Sequence, residues 1–372
     1  MCAKEPPSMQ KPPSMQESLS AQEPPSMQEP LSAQEPPSAQ EPPSAQEPLP
    51  AREPPSVQEG LPFRIAFWNV ENFFDCINDS TKNDDEFTPF GLRAWGRKKY
   101  DAKCIALYKV IAAINAENPL ACIGLAEVEN SRVLRDLCRG TPLRFLGFDF
   151  VHYESADPRG IDVALLYPRE LLQVIYSSAI PLLYSGDSVA HSRDILYVKA
   201  VAGGSDTFHF FVCHFPSKFG GALQTEIKRY EAGVLLRHSI DTLLARTPSA
   251  QIIAMGDFNG DPDEKPLQDG IGYGNDSAPL VNLMLPFVGK QGSHKFREKW
   301  SIIDQFIVTK NLPLRGLRGN IFNRSFLLIP DKNYMGQKVF RTFNGPRYLG
   351  GYSDHLPVYI DFVKHIDFVK QK

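Results

Sequence analysis

No stretch of this 372-residue chain approaches the ~18 consecutive apolar residues of a membrane-spanning helix, which excludes that class. Its 6 cysteines form no C-x-x-C pair and no Cys/His cluster, so neither a zinc site nor a disulfide framework is expected. Cys104, Cys122 and Cys213 fall in apolar segments, where a reduced thiol behaves as a small hydrophobe. The opening MCAKEPPSMQ lacks the apolar core of a secretory leader, and a cytoplasmic location is the expectation. Aromatic residues are missing altogether before Phe63, and aspartate is missing from the first 60 residues.

What those 60 residues do have is proline, 15 of the 32 in the chain. They form a tandem hexapeptide running from Glu5 to Gln58, EPPSMQ, KPPSMQ, ESLSAQ and so on. Proline removes amide donors and blocks helix, and nothing apolar enough to bury is present, so residues 1–60 read as a disordered tail with polyproline II bias. A soluble spacer is the simplest role for it. Nine glutamates against Lys4, Lys11 and Arg52 leave the tail at −6, and the remainder of a −3 chain at +3. That small basic excess permits a phosphate-rich partner without requiring one.

Ordered sequence begins at Phe63, and residues 61–364 are read as a single domain. Residues 365–372 are a short extension holding the second copy of an IDFVK duplication. Apolar runs predict strands at Phe63–Asn69, Leu120–Ala126, Ile161–Tyr167, Ile195–Val201, Phe208–His214, Gln251–Met255, Ile302–Val308 and Leu356–Phe362. Helical spacing appears over Tyr100–Asn118, closed by Pro119, and over Ala222–Arg246, where Ile227, Tyr230, Ile240, Leu243 and Leu244 are the core candidates. Many strands and few helices, mixed along the chain, predict two packed sheets with helices outside.

The informative feature is where the polar residues stand. Asn69 follows FRIAFW, Glu127 follows CIGLA, His214 follows FHFFVC, and Asp257 and Asn259 follow QIIAMG. Asp304 lies inside SIIDQFIV, and Asp354 and His355 precede LPVYI. An ionisable group at the end of a buried strand needs a partner. One such residue suits an ordinary turn or cap; this many point to a shared cleft at one sheet edge. Carboxylates and amide oxygens are hard ligands, suited to Mg²⁺ or Mn²⁺. Two histidines and surplus acids are then left for proton transfer, which together fit hydrolysis of a phosphate ester.

FWNVEN, GLAEVEN, RGIDVALLY, VCHFPSK, MGDFNGDP, IIDQFIV and GGYSDHLPVY occur in this order from Phe67 to Tyr359. On these motifs the chain resembles the endonuclease/exonuclease/phosphatase superfamily, which contains pancreatic deoxyribonuclease, apurinic endonucleases, neutral sphingomyelinases and inositol polyphosphate 5-phosphatases. GDFN and SDH at this separation are specific together and weak apart. The resemblance implies an α+β fold, a four-layer α/β/β/α sandwich of two mostly antiparallel sheets. It also implies a metal region at Asn69, Glu127 and Asp354, with Mg²⁺ or Mn²⁺ as the cofactor. Asp257 would orient or deprotonate the attacking water, Asn259 would bond a phosphate oxygen, and His355 would contact the scissile phosphate with Asp304 as its partner. His214 matches the nuclease and sphingomyelinase branches, as a phosphate contact or general acid. Asp257 and His355 both remain candidate bases.

Arg193 and Lys218 are candidate substrate contacts. Three stretches mix basic and aromatic residues, Arg93–Tyr100, Lys295–Trp300 and Phe340–Tyr348, and suit a nucleic-acid backbone with stacked bases. The wording of GLAEVEN and RGIDVALLY is most similar to bacterial nuclease relatives. A nuclease acting on nucleic acid or another phosphodiester, as a monomer, is therefore expected, the alternative being a phosphatase or phospholipase-type enzyme. Relatives of this type are often exported, in tension with the expected location.

Overall fold

The computed structural model describes residues 63–184, 187–202, 206–218, 220–275, 277–312 and 317–362. The repeat tail, the C-terminal extension and most of the IDFVK duplication lie outside the described residues. Twelve strands build two six-stranded sheets. They are Phe63–Phe73 (β1), Leu120–Val128 (β2), Phe148–His152 (β3), Asp162–Pro168 (β4), Leu172–Ile180 (β5), Ile195–Ala202 (β6), Asp206–His214 (β7), Gln251–Asp257 (β8), Leu280–Asn282 (β9), Asp304–Thr309 (β10), Gly319–Ile321 (β11) and Val358–Phe362 (β12). One sheet runs β11-β12-β1-β2-β4-β3 and the other β9-β10-β8-β7-β6-β5. Both are mixed: β1 and β2 are parallel, β7 and β8 are parallel, and the other neighbours are antiparallel.

Each parallel pair is bridged by a long helix, because parallel neighbours need a crossover. Arg97–Glu117 (α1) joins β1 to β2, and Ala222–Arg246 (α3) joins β7 to β8. Pro119 stops α1, and the short helix Ser131–Gly140 (α2) starts at Asn130, whose side chain accepts from the Arg132 and Val133 amides. Such a cap contributes about 1 kcal/mol.

FRIAFW is apolar on both faces because it is buried on both. Ile65 and Phe67 pack between the sheets with Phe210, Val212, Met255 and Phe306. Ala66 and Trp68 face outward onto the layer holding α1 and α2, with Leu107, Ile111 and Leu134. The opposite outer layer is α3, packed through Ala232, Leu236 and Ile240. Two expectations on α3 fail there, since Ile227 is 66% and Tyr230 43% exposed. The helix approaches the core through small residues instead: a Cβ on Gly233 would lie 3.1 Å from Ile271 and 3.2 Å from Gly270. Among the described residues the five cysteines carry free thiols.

Candidate active site

The parallel pairs fix where the chemistry gathers. Asn69 lies near the C-terminal end of β1 and Glu127 near that of β2, while His214 and Asp257 end β7 and β8. An antiparallel neighbour begins where its partner ends, so β10 starts with Asp304 at the same edge, and Asp354 and His355 enter β12 there. In register, Asp257 is the partner of both His214 and Asp304. Gly256 permits this closeness: a Cβ there would sit 2.3 Å from the Cys213 carbonyl oxygen.

Local backbone breaks then aim the side chains. Glu71, Asn72, Glu127 and Asn259 all have positive φ, between 52° and 63°, although none is glycine. The β1–β2 register is interrupted between Asn69 and Phe73, and the β2–β4 register between Ala126 and Val128. Bulges of this kind re-aim side chains and recur beside active sites, where strained non-glycine backbone also collects.

Asp257 is the centre of the cluster. Its Oδ2 accepts from Asn69 Nδ2 at 3.1 Å and its Oδ1 from the Asn259 amide at 2.9 Å. His214 Nε2 is 3.7 Å and His355 Nε2 3.9 Å from Oδ2. Burial pushes the Asp257 carboxyl up to about 7, against the opposing pull of His355. His355 Nδ1 meets Asp304 Oδ2 at 2.7 Å. Burial alone would lower His355, but the Asp304 carboxylate outweighs it, with Asp257 and Asp354 adding, and holds the imidazole well above its ordinary value. His214 goes the other way: burial, together with the charges of Arg193, Arg159 and His355, pushes it well below. Of the two buried imidazoles beside one carboxyl, His355 is thus held as the cation and His214 as the neutral ring at neutral pH.

Asp354 is paired with Arg341 at 2.9 Å, and burial, which would raise it, loses to Arg341, His355 and His294, leaving it at about 2. Arg341 also meets Glu71 at 3.2 Å, and Glu71 takes the Thr342 amide at 2.6 Å. Lys103, fully buried, donates to Thr342 Oγ1 at 2.6 Å and to the Tyr352 carbonyl at 2.7 Å. These charges tie the loop bearing Asp354 and His355 to β1 and α1. Glu127 is half-buried, accepts from the Asn72 amide at 2.8 Å, and its charge acts on Lys103 and Arg341.

One donor atom each from Asp257, Asp304 and His355 lies within 4.8 Å of the others, and the same is true of His294, Asp354 and His355. Asp304 Oδ1 is buried without a hydrogen-bond partner. The carboxylate oxygens of Asp257, Asp304 and Asp354, the orphan being on Asp304, fit a hard divalent cation.

The structure therefore brings His214, Asp257, Asn259, Asp304, His355 and Asn69 together, with Asp354 beside them and Glu127 on the neighbouring strand. Asn259 turns its Nδ2 to the Phe215 carbonyl at 2.9 Å, which locks the loop under Asp257. Arg193 is buried, bound to Asp157 at 3.2 Å and to the Phe215 carbonyl at 2.9 Å, behind His214. Lys218 is exposed and is paired with Glu264. Two residues escaped the sequence reading. His294, whose ring centroid is 4.8 Å from that of His355, is brought in by an isolated bridge between the two backbones. Arg159, bonded to Asn72 Oδ1 at 3.0 Å, acts on His214, and RGIDV had contained its signal.

The basic and aromatic stretches are largely spent internally. Arg93 holds Glu86 and lies over Phe87 and Phe343, and Trp95 is buried. Lys295 and Lys299 hold Asp331 and Asp261, and Trp300 packs on the core. Arg341 is committed to Glu71 and Asp354.

Among the described residues no helix is long and apolar enough to cross a membrane. No curated protein matches the chain. Solved structures similar to it include an endonuclease/exonuclease/phosphatase family protein from Bacteroides thetaiotaomicron, at 15% identity and a TM-score of 0.53, covering 83% of this chain and 97% of that one. Truncated TDP2 of Caenorhabditis elegans is similar at 15% identity and 0.52, over 81% and 98%. A mannosyl-6-phosphatase of Bacteroides thetaiotaomicron gives 15% and 0.51, over 80% and 98%. The model of the Endonuclease/Exonuclease/phosphatase family matches residues 64–364, which cover every residue of the cluster. The chain belongs to the endonuclease/exonuclease/phosphatase family and is, on that ground, a phosphoric ester hydrolase.

Proposed function

We propose that residues 61–364 form a divalent-metal-dependent phosphodiesterase on a four-layer α/β/β/α frame, acting as a monomer on nucleic acid by in-line attack of water on phosphorus. The observation that carries this is the alignment of His214, Asp257 and Asp304 across three adjacent strands, with His355 closing on the last two.

Asn69, Glu127 and Asp354 are the residues that would hold Mg²⁺ or Mn²⁺. A bound divalent cation polarises a phosphoryl oxygen and offsets charge that develops on it. The chain's own groups divide the remaining work. His355, kept protonated by Asp304, offers positive charge to the phosphoryl oxygens, where preorganised charge stabilises the transition state most. A protonated imidazole is no base, so Asp257, with a carboxyl near 7, takes the proton of the attacking water. Asn69 and the Asn259 amide orient it. His214, kept neutral by burial and by the charge of Arg193, presents an N–H to the phosphate.

A second reading is a phosphatase for a small ester. It is favoured by the internal pairing of Arg93, Lys295, Lys299 and Arg341, which leaves little free charge for tracking a long polyanion. A substrate panel of plasmid DNA, RNA, a dinucleotide, p-nitrophenyl phosphate, inositol phosphates and sphingomyelin, with and without chelator, separates the two. Metal-dependent cleavage of the nucleic acids supports the first reading. Hydrolysis confined to monoesters or lipid overturns it.

A further inference from the structure

A cavity of about 370 Å³ opens beside Asp354, and apart from Asp354 the proposed hydrolysis uses none of its lining. Asp354 and Arg341 stand at one end; the walls include Phe296, Arg297, Tyr334 and Lys338. The hairpin of His294–Phe296 and Lys299–Ser301 ties it to the chemistry. His294 bridges to His355, and two residues further along the same strand Phe296 stands 67% exposed. Arg297 follows at φ 55°, its guanidinium 5.4 Å from the Phe296 ring.

Charge and size limit the occupant. Lys295 and Lys338 both neutralise Asp331, at 3.1 and 3.4 Å, and Arg341 serves Glu71 and Asp354. Among the described residues Arg297 is the one lining cation without an ion pair. A single unneutralised cation matches one phosphate, and an inositol ring bearing several phosphates would need more. The volume lies at the lower end of the roughly 300–1,000 Å³ of small-ligand sites, room for one base and sugar but too little for a sphingolipid's chains. The exposed Phe296 ring beside Arg297, with the half-buried Tyr334 in the same wall, is a surface on which a base stacks.

We propose that this cavity is a nucleotide subsite, taking the unit next to the scissile phosphate with its base on Phe296 and Tyr334 and its flanking phosphate on Arg297. The inference rests on the phosphodiesterase reading and narrows it: the enzyme recognises about one nucleotide beside the bond it cleaves, without a long basic track.

The test uses the full chain with Mg²⁺ and two esters sharing one leaving group, the p-nitrophenyl ester of thymidine 5′-phosphate and methyl p-nitrophenyl phosphate. Phe296→Ala should lower kcat/KM for the thymidine ester by about tenfold to a hundredfold and leave the methyl ester unchanged, with Phe296→Trp restoring it. Arg297→Ala should weaken binding of thymidine 3′,5′-bisphosphate, read by calorimetry, more than that of thymidine. Equal losses on both esters, or none on the thymidine ester, overturn the subsite while leaving the hydrolase intact. If neither ester is cleaved, the phosphodiesterase reading fails, and the calorimetry decides the subsite by itself: bisphosphate binding that Phe296→Ala does not weaken overturns it.

Discussion

Asp304 holds His355 by a 2.7 Å contact at Nδ1 while its other carboxylate oxygen lies buried without a hydrogen-bond partner. The ion pair forms because the two residues enter neighbouring regions of different sheets at one edge, 51 positions apart. It decides which group in the cleft carries a proton.

Asp304→Asn keeps the shape and removes the charge. His355 should then titrate at lower pH, moving toward the ordinary value near ~6.5. Turnover should fall by about 10²–10⁴, the range seen when a histidine loses its orienting acid. Ring-nitrogen NMR followed against pH, beside kcat, checks both. An unmoved midpoint would show that Asp304 does not hold the proton.

Asp257 predicts a proton linkage in metal loading. Burial pushes its carboxyl up to about 7, and a nearby divalent cation would favour the ionised form. Below pH 7 loading must therefore release a proton, so affinity should drop by up to about tenfold per pH unit, and be nearly flat above pH 8. Mn²⁺ titration by calorimetry in buffers of different ionisation heat reads the proton directly. Proton-free binding at pH 6 would contradict it.

Lys103 ties α1 to the catalytic loop, and burial lowers its ammonium to about 8. Removing it in Lys103→Met leaves Glu71 without part of its compensation and should cost about 3–5 kcal/mol in denaturant unfolding. The sign with pH follows from linkage. Between about 8 and the ordinary value near ~10.4, the unfolded chain binds this proton and the folded chain does not, so wild-type stability gains as pH rises. The gap between wild type and Lys103→Met should therefore widen from pH 8 to pH 10. A constant gap would mean Lys103 titrates normally.

His294 is lowered to about 4 by burial and by the His355 charge, so it is a neutral ring against a charged one. His294→Ala should cut kcat by about tenfold with little change in Tm, since its ring makes no hydrogen bond among the described residues. An unaltered kcat would place it outside the chemistry.

Much of this was legible in the sequence for one reason: buried strands cannot end in Asp257, His214 or Asp304 without partners, and the order of GDFN and SDH named those partners. The mixed sheets were less legible. Parallel pairing of β1 with β2 and of β7 with β8 depends on crossovers, and apolar runs look alike in either direction. The short α2 had only its Asn130 cap as a signal. The network of Glu71, Lys103 and Arg341 spans 270 positions, beyond any local pattern. On α3 the apolar Ile227 and Tyr230 misled because small residues make the close packing. The basic and aromatic stretches misled in the same way, since composition does not reveal that an arginine is already paired.

Asp257→Ala, His355→Ala and the double substitution, assayed on one phosphodiester with Mg²⁺, measure whether both groups act on the same bond. If they do, each single change should cost about as much as the pair, because residues that work as a unit are non-additive. Losses that multiply in the double variant, or activity that survives chelation in wild type, would mean the two side chains serve separate sites.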